Sequence, residues 1–395
     1  MISSEFPPGP GGIGNHAHNL ALNLFRLGWE IAVVSPQAYA SGKEIEEFNR
    51  AQPINVTRVP TGRGGLREAS CRTRIAFRLA CKQRPDVLLG TGRSGAWIAS
   101  AIGAVRRIPA VAVAHGSEFG IREGIPGALN RWAFERANAV VAVSNFTREI
   151  VQKAGIRARR IEVIPNAANH LRFVLLHESE CEAFREKMGF NGAPILLTVG
   201  RVSERKGQEV VIRALPHILR KVPQAHYLMI GLPSLKQELT MLAQNLGVGD
   251  RIHFLDRVAE QELVRWVNCC DVFLMTSRTI SDGDCEGFGI AVIEAALCGK
   301  PAVVSGQSGL TEAIQAGTTG IAVPQGDEIA TAEAVISLLV TPSRRQSMGE
   351  AARQRALEQQ TWPSCSQRYD ALLREIARKT TYRSVRLIAP PKCAS

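Results

Sequence analysis

Pro194-Ile195-Leu196-Leu197-Thr198-Val199-Gly200-Arg201-Val202-Ser203-Glu204-Arg205-Lys206-Gly207 runs from an apolar strand pattern straight into a basic loop flanked by glycines. A short, continuously apolar run bounded by turn residues reads as a strand covered on both faces, the usual condition of a parallel sheet. In open α/β sheets ligands bind where the chain leaves the carboxyl end of such a strand. Two permanent cations, Arg201 and Lys206, stand five residues apart in this loop. That spacing suits a diphosphate gripped from two sides, with its departing charge neutralised by the same groups.

Working outward, residues 226–230, 252–255, 272–275, 301–305 and 320–323 repeat the strand pattern, with helical stretches between them. The same alternation fills the first half, at 30–35, 86–89, 110–115, 139–144 and 160–164. Strand–helix alternation implies parallel sheets covered by helices, and 395 residues exceed one ordinary core. The expectation is an α/β protein with two Rossmann-like, doubly wound domains. A charged, helix-like segment at 178–188 ends in Gly189 and Asn191-Gly192-Ala193-Pro194, a turn-rich junction. The predicted organisation is a first domain at 1–175, a linker region at 176–193, a second domain at 194–360, and a C-terminal helix at 361–380 packing back on the first. Helical patterns cover 331–339, 344–359 and 366–378, with an interruption near Trp362-Pro363. Only Met1-Ile2-Ser3-Ser4 precedes Glu5-Phe6-Pro7-Pro8, so the first strand reads as clipped.

With 45% hydrophobic and 21% charged residues, the chain has the composition of a globular enzyme rather than a disordered or fibrous protein. No apolar run approaches the roughly 20 residues of a membrane-spanning helix. The N-terminus lacks the basic and apolar regions of a secretory signal, which predicts a cytoplasmic protein. Nine cysteines include no Cys-x-x-Cys pair, and Cys269-Cys270 are read with the rest as reduced thiols. A net charge of +12 includes the run Arg67, Arg72, Arg74, Arg78, Lys82 and Arg84. No aromatic residues interleave with these cations as a single-strand stacking platform requires, so nucleic acid is not a predicted partner. The alternatives are a solvated helix face and peripheral contact with an anionic membrane at its inner face.

Gly9-Pro10-Gly11-Gly12-Ile13-Gly14 satisfies the dinucleotide fingerprint and leads into the helical stretch 15–27. The fingerprint also needs an acid at the end of the next strand, but that strand ends in Ser35-Pro36 with no acid before Glu44. An NAD-binding reading is therefore disfavoured. The adjacent glycines Gly11 and Gly12 instead let backbone N–H groups approach a phosphate at a helix N-terminus. In Asp284-Cys285-Glu286-Gly287-Phe288-Gly289-Ile290-Ala291-Val292-Ile293-Glu294, carboxylates Glu286 and Glu294 lie eight residues apart across a glycine-rich turn that opens a helix. Such a turn favours an anion, and the two carboxylates can accept hydroxyls of a ligand seated on the helix end.

In this order and spacing, the motifs resemble the retaining glycosyltransferases of family 4, which have the GT-B architecture of two Rossmann-like domains facing across an interdomain cleft. The series is the Gly11-Gly12 turn, His115-Gly116-Ser117-Glu118, Val143-Ser144-Asn145-Phe146, Val163-Ile164-Pro165-Asn166, Gly200-Arg201 with Lys206-Gly207, Glu286-Gly287-Phe288-Gly289 with Glu294, and Gly309-Leu310-Thr311-Glu312. Nearly the whole chain is covered. Departures are Pro165-Asn166-Ala167-Ala168-Asn169 where Pro-Asn-Gly-Val-Asp is usual, Ser308-Gly309 for Gly-Gly, and Asp256 where glycine is common.

The resemblance implies roles. Arg201 and Lys206 hold the donor diphosphate; Glu286, with the amides of Phe288, Gly289 and Ile290, meets the transferred sugar and phosphate. Glu294 takes the ribose hydroxyls, Gly11 and Gly12 face the phosphates, Val258 contacts the base, and His115 lies beside the sugar. His115, Glu286, Arg201 and Lys206 form the implied catalytic set, without a metal and without a cofactor beyond the nucleotide-sugar donor. The acceptor is expected to be a glycan or a lipid-linked hydroxyl. GDP-mannose is favoured over UDP-sugars, because Arg278-Thr279-Ile280-Ser281-Asp282-Gly283-Asp284-Cys285-Glu286-Gly287 and the His115 motif look most like the phosphatidylinositol mannosyltransferase branch. Independently, the carboxylate of Asp256 could accept the ring N–H and amino group of guanine. The competing readings are a nucleotide-sugar epimerase of the same architecture and a non-catalytic nucleotide-sugar binding protein.

Overall fold

The computed structural model describes residues 1–9, 11–36, 40–60, 65–120, 124–280 and 283–386, with the side chains of 65–66 and 379–386 left aside. The first-half strands are β1 (Ile2–Ser3), β2 (Ala32–Pro36), β3 (Asn55–Val59), β4 (Leu88–Thr91), β5 (Ala110–Ala114), β6 (Ala139–Ala142) and β7 (Ile161–Val163). They form one sheet in the order β3-β2-β1-β4-β5-β6-β7, parallel at every pairing. The second series is β8 (Ile195–Val199), β9 (His226–Ile230), β10 (Ile252–Phe254), β11 (Val272–Met275), β12 (Ala302–Ser305) and β13 (Gly320–Val323). It forms a second parallel sheet in the order β10-β9-β8-β11-β12-β13. Both orders reverse direction beside their first strand, as doubly wound sheets do.

The central strands β5, β6 and β11 are buried along their whole length. Their alanine, valine and other apolar side chains are covered on both faces, which explains the runs without alternation. Two segments depart from the sequence expectation. The two residues of β1 lie at the sheet's centre despite their brevity, with Ile2 opposite both Val34 and Gly90. β3, absent from the sequence reading, is an edge strand that is buried only at Val59. Its Asn-Val-Thr-Arg-Val pattern mixes polar and apolar residues because one side faces water.

The chain divides into two compact units. One comprises Met1–Val143, Thr147–Ile164 and the residues from Pro363; the other comprises Ser144–Phe146 and Pro165–Trp362. The junction segment 176–193 lies within the second unit. Helix Trp362–Arg386 begins at the predicted interruption, since proline is tolerated in a helix's first turn, where its missing N–H has no intrahelical partner. Within the first unit this helix grips the end of helix Gly12–Arg26. Trp29 Nε1 donates to Asp370 at 2.6 Å, and Arg374 donates to the carbonyl of Leu27 at 3.1 Å.

The basic run lies largely on helix Gly65–Gln83, and one member departs from the solvated-face reading. Arg72 is buried, donating to Glu68 at 2.8 Å and to Ser94 at 2.6 Å. Among the described residues no helix is long and apolar enough to cross a membrane.

After β5 the chain bends back on itself, and the buried carboxylate of Glu118 accepts the His115 N–H at 3.1 and 3.0 Å. Burial pushes this carboxyl from 4.5 up to about 7, against the backbone hydrogen bonds that favour its ionised form. The folded state therefore holds the proton more tightly than the unfolded chain does. The resulting stabilisation is fully present below pH 4.5 and lost as pH rises to about 7. For Glu118→Gln we expect chemical denaturation to show stability differing from the parent protein by an amount that changes on the order of 3 kcal/mol across that window. A pH-independent difference between the two proteins would refute the shift.

Candidate active site

The loops after β8, β9 and β11 leave one edge of the second sheet side by side, because β8 lies between the other two strands. Backbone contact fixes them. A Cβ on Gly231 would stand 2.2 Å from the carbonyl oxygen of Gly200, and one on Gly207 would stand 2.0 Å from that of Thr276. Gly207 also has φ of 66°, a left-handed conformation that glycine adopts without cost, and its carbonyl accepts the Thr276 hydroxyl at 2.7 Å. The loop carrying Lys206 is thereby pressed against the start of the loop carrying Glu286.

The consequence is a half-buried ion cluster. Lys206 Nζ and Arg205 Nη1 both donate to Oε2 of Glu286 at 2.6 Å, and Arg205 Nε lies 3.2 Å from Asp284. Burial alone would raise the Glu286 carboxyl, but Lys206 and Arg205 hold it down to about 2. Burial also lowers the Lys206 ammonium from its ordinary value, with Glu286 pulling the other way. Two cations and two carboxylates balance here, so the cluster is compensated before any ligand arrives.

Helix Ile290–Leu297 starts four residues beyond Glu286 and has no acidic residue in its first turn and no side-chain cap. Gly289 precedes it in a left-handed conformation at φ 88°, and a Cβ there would meet Leu310 at 2.3 Å. The first amides of a helix have no intrahelical acceptor, so Ile290 opens a ready anion site beside the ion cluster. Phe288 is buried, anchoring the turn from below. Glu294, further along the same helix, is half-buried, and burial pushes its carboxyl up to about 7. The ion pair of Arg172 and Glu260, at 3.4 Å, lies within electrostatic reach of it.

The remaining expected residues stand apart from this cluster in defined ways. Arg201 exposes its side chain and engages Gln208 only through its carbonyl, at 3.0 Å. Asp256 adopts φ 47° in the turn after β10, with its carboxylate 57% exposed and 3.7 Å from Lys236. Val258 is half-buried two residues later. The segment Ser281-Asp282, part of the donor-preference motif, lies outside the described residues.

In the first unit, His115 follows β5, with Nε2 2.8 Å from the Thr91 hydroxyl; burial lowers its imidazole to about 3 and keeps it neutral. Gly12 opens helix Gly12–Arg26. A Cβ at Gly12 would touch nothing within 4 Å, whereas one on Gly11 would meet the Glu5 carboxylate at 2.1 Å. Packing thus explains the glycine at 11 but leaves open space over 12, as close approach of a ligand to the backbone requires. Among the described residues no group of three His, Cys, Asp or Glu side chains is placed to hold a metal.

Arg205 escaped the sequence reading, which credited the loop's second cation to Arg201. The signal was the adjacent pair Arg205-Lys206 inside a single tight turn, Glu204–Lys206, which sends both side chains to one carboxylate.

The profile described as "Glycosyltransferase Family 4" matches residues 10–171, and that described as "Glycosyl transferases group 1" matches residues 181–355. A GDP-mannose-dependent alpha-(1-6)-phosphatidylinositol monomannoside mannosyltransferase of Mycolicibacterium smegmatis is 31% identical, covering 94% of this chain and 97% of its own. Its monoacylated-substrate counterpart in Corynebacterium glutamicum is 26% identical over the same shares. Among solved structures, Anabaena Alr3699/HepE in complex with UDP and glucose superposes with a TM-score of 0.80 at 20% identity, covering 95% of this chain and 99% of that one. That likeness shows the GT-B fold alone. With both halves matched in order and a relative aligned across nearly its full length, the chain belongs to the family 4, group 1 glycosyltransferases, in the phosphatidylinositol mannosyltransferase-like branch that its motifs resemble.

Proposed function

We propose that this glycosyltransferase moves mannose from GDP-mannose to a hydroxyl of a lipid-linked or glycan acceptor, with retention at the anomeric carbon and without a metal. The observation that carries the reading is the Lys206–Glu286–Arg205 cluster at the start of helix Ile290–Leu297. A diphosphate seated on that helix end takes Lys206 as its counter-ion, while Glu286 keeps Arg205 and turns its free lone pairs to sugar hydroxyls. As the bond from the anomeric carbon to the phosphate oxygen breaks, negative charge grows on the leaving phosphate beside the Lys206 ammonium; the acceptor oxygen bonds to the same face of that carbon and its proton passes to the leaving phosphate. Preorganised charge of this kind does the work a metal ion does elsewhere. Neutral His115 offers the sugar a hydrogen-bonding ring without a competing charge. The names of the relatives support GDP and mannose over other donors, and support an acceptor of the phosphoinositide class.

Transfer is distinguished from epimerisation and from simple binding by release of nucleoside diphosphate only when acceptor is supplied. In that assay Lys206→Ala is expected to lower kcat by about 10² or more, the usual consequence of deleting one preorganised electrostatic contact. Its fold should survive because Arg205 still compensates Glu286. Glu286→Ala is the less clean test, since it leaves Lys206 without its carboxylate and Arg205 with Asp284 alone, at a cost in stability of up to about 3–5 kcal/mol. Near-normal turnover by Lys206→Ala would remove the donor-site assignment.

Donor preference is read by calorimetric titration with GDP and UDP. We expect tighter GDP binding, with the margin reduced in Asp256→Asn, a replacement that tolerates the same left-handed backbone where alanine does not. Equal affinities would end the guanine preference. An unchanged margin in the variant would assign Asp256 to its Lys236 pair alone.

Membrane proximity rests on helix Gly65–Gln83 and the residue beyond it. Arg67, Arg74, Arg78, Lys82 and Arg84 are exposed there, beside Phe77 at 36% exposure. The protein should sediment with anionic vesicles at low ionic strength and be released as salt shortens the screening length toward about 8 Å at 0.15 M. Failure to sediment at low salt would leave this helix a solvated face.

A further inference from the structure

Three aromatic side chains from distant parts of the sequence meet inside the first unit. His16 comes from helix Gly12–Arg26, His115 from the end of β5, and Tyr369 from the C-terminal helix Trp362–Arg386. His16 and Tyr369 are fully buried and His115 is 9% exposed. The Tyr369 hydroxyl lies 3.3 Å from Nε2 of His16. The His16 ring meets the His115 ring edge to face, with centroids 4.9 Å apart and planes at 82°. Thr91 holds the far side of the group through its 2.8 Å contact with His115 Nε2.

Burying an imidazole and a phenol costs free energy unless their polar atoms are engaged, so apolar residues would be the cheaper filling. Both imidazoles are neutral, His16 being lowered by burial and then by its neighbour His115. Burial likewise keeps Tyr369 a phenol. A neutral imidazole carries one N–H, and a hydroxyl partner, which can donate or accept, holds the ring in one orientation through the nitrogen it engages.

We propose that Tyr369 and His16 are positioning residues for His115. The hydroxyl of Tyr369 fixes the ring of His16, and that ring, packed edge to face, fixes the orientation of His115 opposite Thr91. The nitrogen of His115 that Thr91 does not engage, Nδ1, is then presented in one orientation. The inference rests on the assignment of His115 to the transferred sugar. It extends the site to the C-terminal helix, whose Tyr369 meets His16 through its hydroxyl and, edge to face, through its ring. The helix itself is held independently by the Trp29–Asp370 and Arg374–Leu27 hydrogen bonds, so Tyr369→Phe removes the hydroxyl without undocking the helix.

The test uses the full chain labelled with 15N-histidine, comparing parent, Tyr369→Phe, His16→Gln and His115→Ala for ring-nitrogen chemical shifts, kcat, donor KM and melting temperature. In Tyr369→Phe we expect a near-parental melting temperature and shifted ring nitrogens of both His16 and His115. The same variant should lose about tenfold in kcat at little-changed donor KM, the pattern of a reacting group slightly misplaced. His16→Gln should move the His115 nitrogens and kcat in the same direction, which keeps the test alive if one variant folds poorly. Unmoved His115 nitrogens in both variants overturn the proposal, even if kcat falls. His115→Ala separates the two readings: full activity there overturns the role of His115 at the sugar, and with it a positioning role for Tyr369 in transfer.

Discussion

Lys206 and Arg205 converge on one oxygen of Glu286, and the arrangement follows from sheet order. Neighbouring parallel strands run about 4.8 Å apart, so the turns after β8 and β11 have no space for side chains between them where they cross. Glycine at 207 lets the backbones touch, and that contact carries two cations into a half-buried carboxylate's reach. The cluster pairs its own charges when no ligand is present, which lowers the cost of burying them. Under the proposed function a diphosphate competes with Glu286 for Lys206, and the positive end of helix Ile290–Leu297 favours the anion in that competition.

Each unit handles buried polarity in its own way. The second pairs opposite charges, as at Glu286 and again at Asp271, where Arg185 and Arg345 share a carboxylate at 3.0 and 3.3 Å. The first also holds the Arg72–Glu68 pair, but around His115 it suppresses charge: His16, His115 and Tyr369 are neutral, and Glu118 is displaced toward its protonated form. An ionic surface suits phosphate, whereas neutral donors and acceptors suit hydroxyls, which gain little from full charges and would leave them stranded between turnovers.

How much of this was legible in the sequence depended on burial. Strands buried on both faces, such as β5, β9 and β11, announce themselves as unbroken apolar runs, and their starts are displaced by at most a residue or so. The half-wet edge strand β3 gives no such run, and the two-residue β1 is too short to show a period. The family motifs singled out Lys206 and Glu286 in two separate short loops, and the structure pairs them. Arg205 was missed because its importance comes from a turn conformation that linear spacing does not express. The partnership of His16 with Tyr369 spans almost the whole chain, and nothing local in either helix hints at it. Arg72 illustrates the reverse error. In a row of arginines it looks like surface, yet helical periodicity turns that one residue inward, where Glu68 and Ser94 receive it.

The first unit is assembled from residues that open the sequence and from residues beyond Pro363, with the whole second unit synthesised between them. Domains commonly fold in the order in which they leave the ribosome, but here that order is broken. The seven-stranded sheet can form early, yet it lacks the helix that covers Trp29 and His16 until the second unit has been made. The middle unit has all its strands well before then. During translation the His16 and Trp29 side of segment 12–29 therefore lacks its cover for the time needed to make some two hundred residues, tens of seconds at about 5–20 residues per second. A late-arriving cover means that the first unit's packing around His16 and Trp29 depends on the second unit having been made first, so loss of helix Trp362–Arg386 would harm a domain whose other residues end some two hundred residues before it.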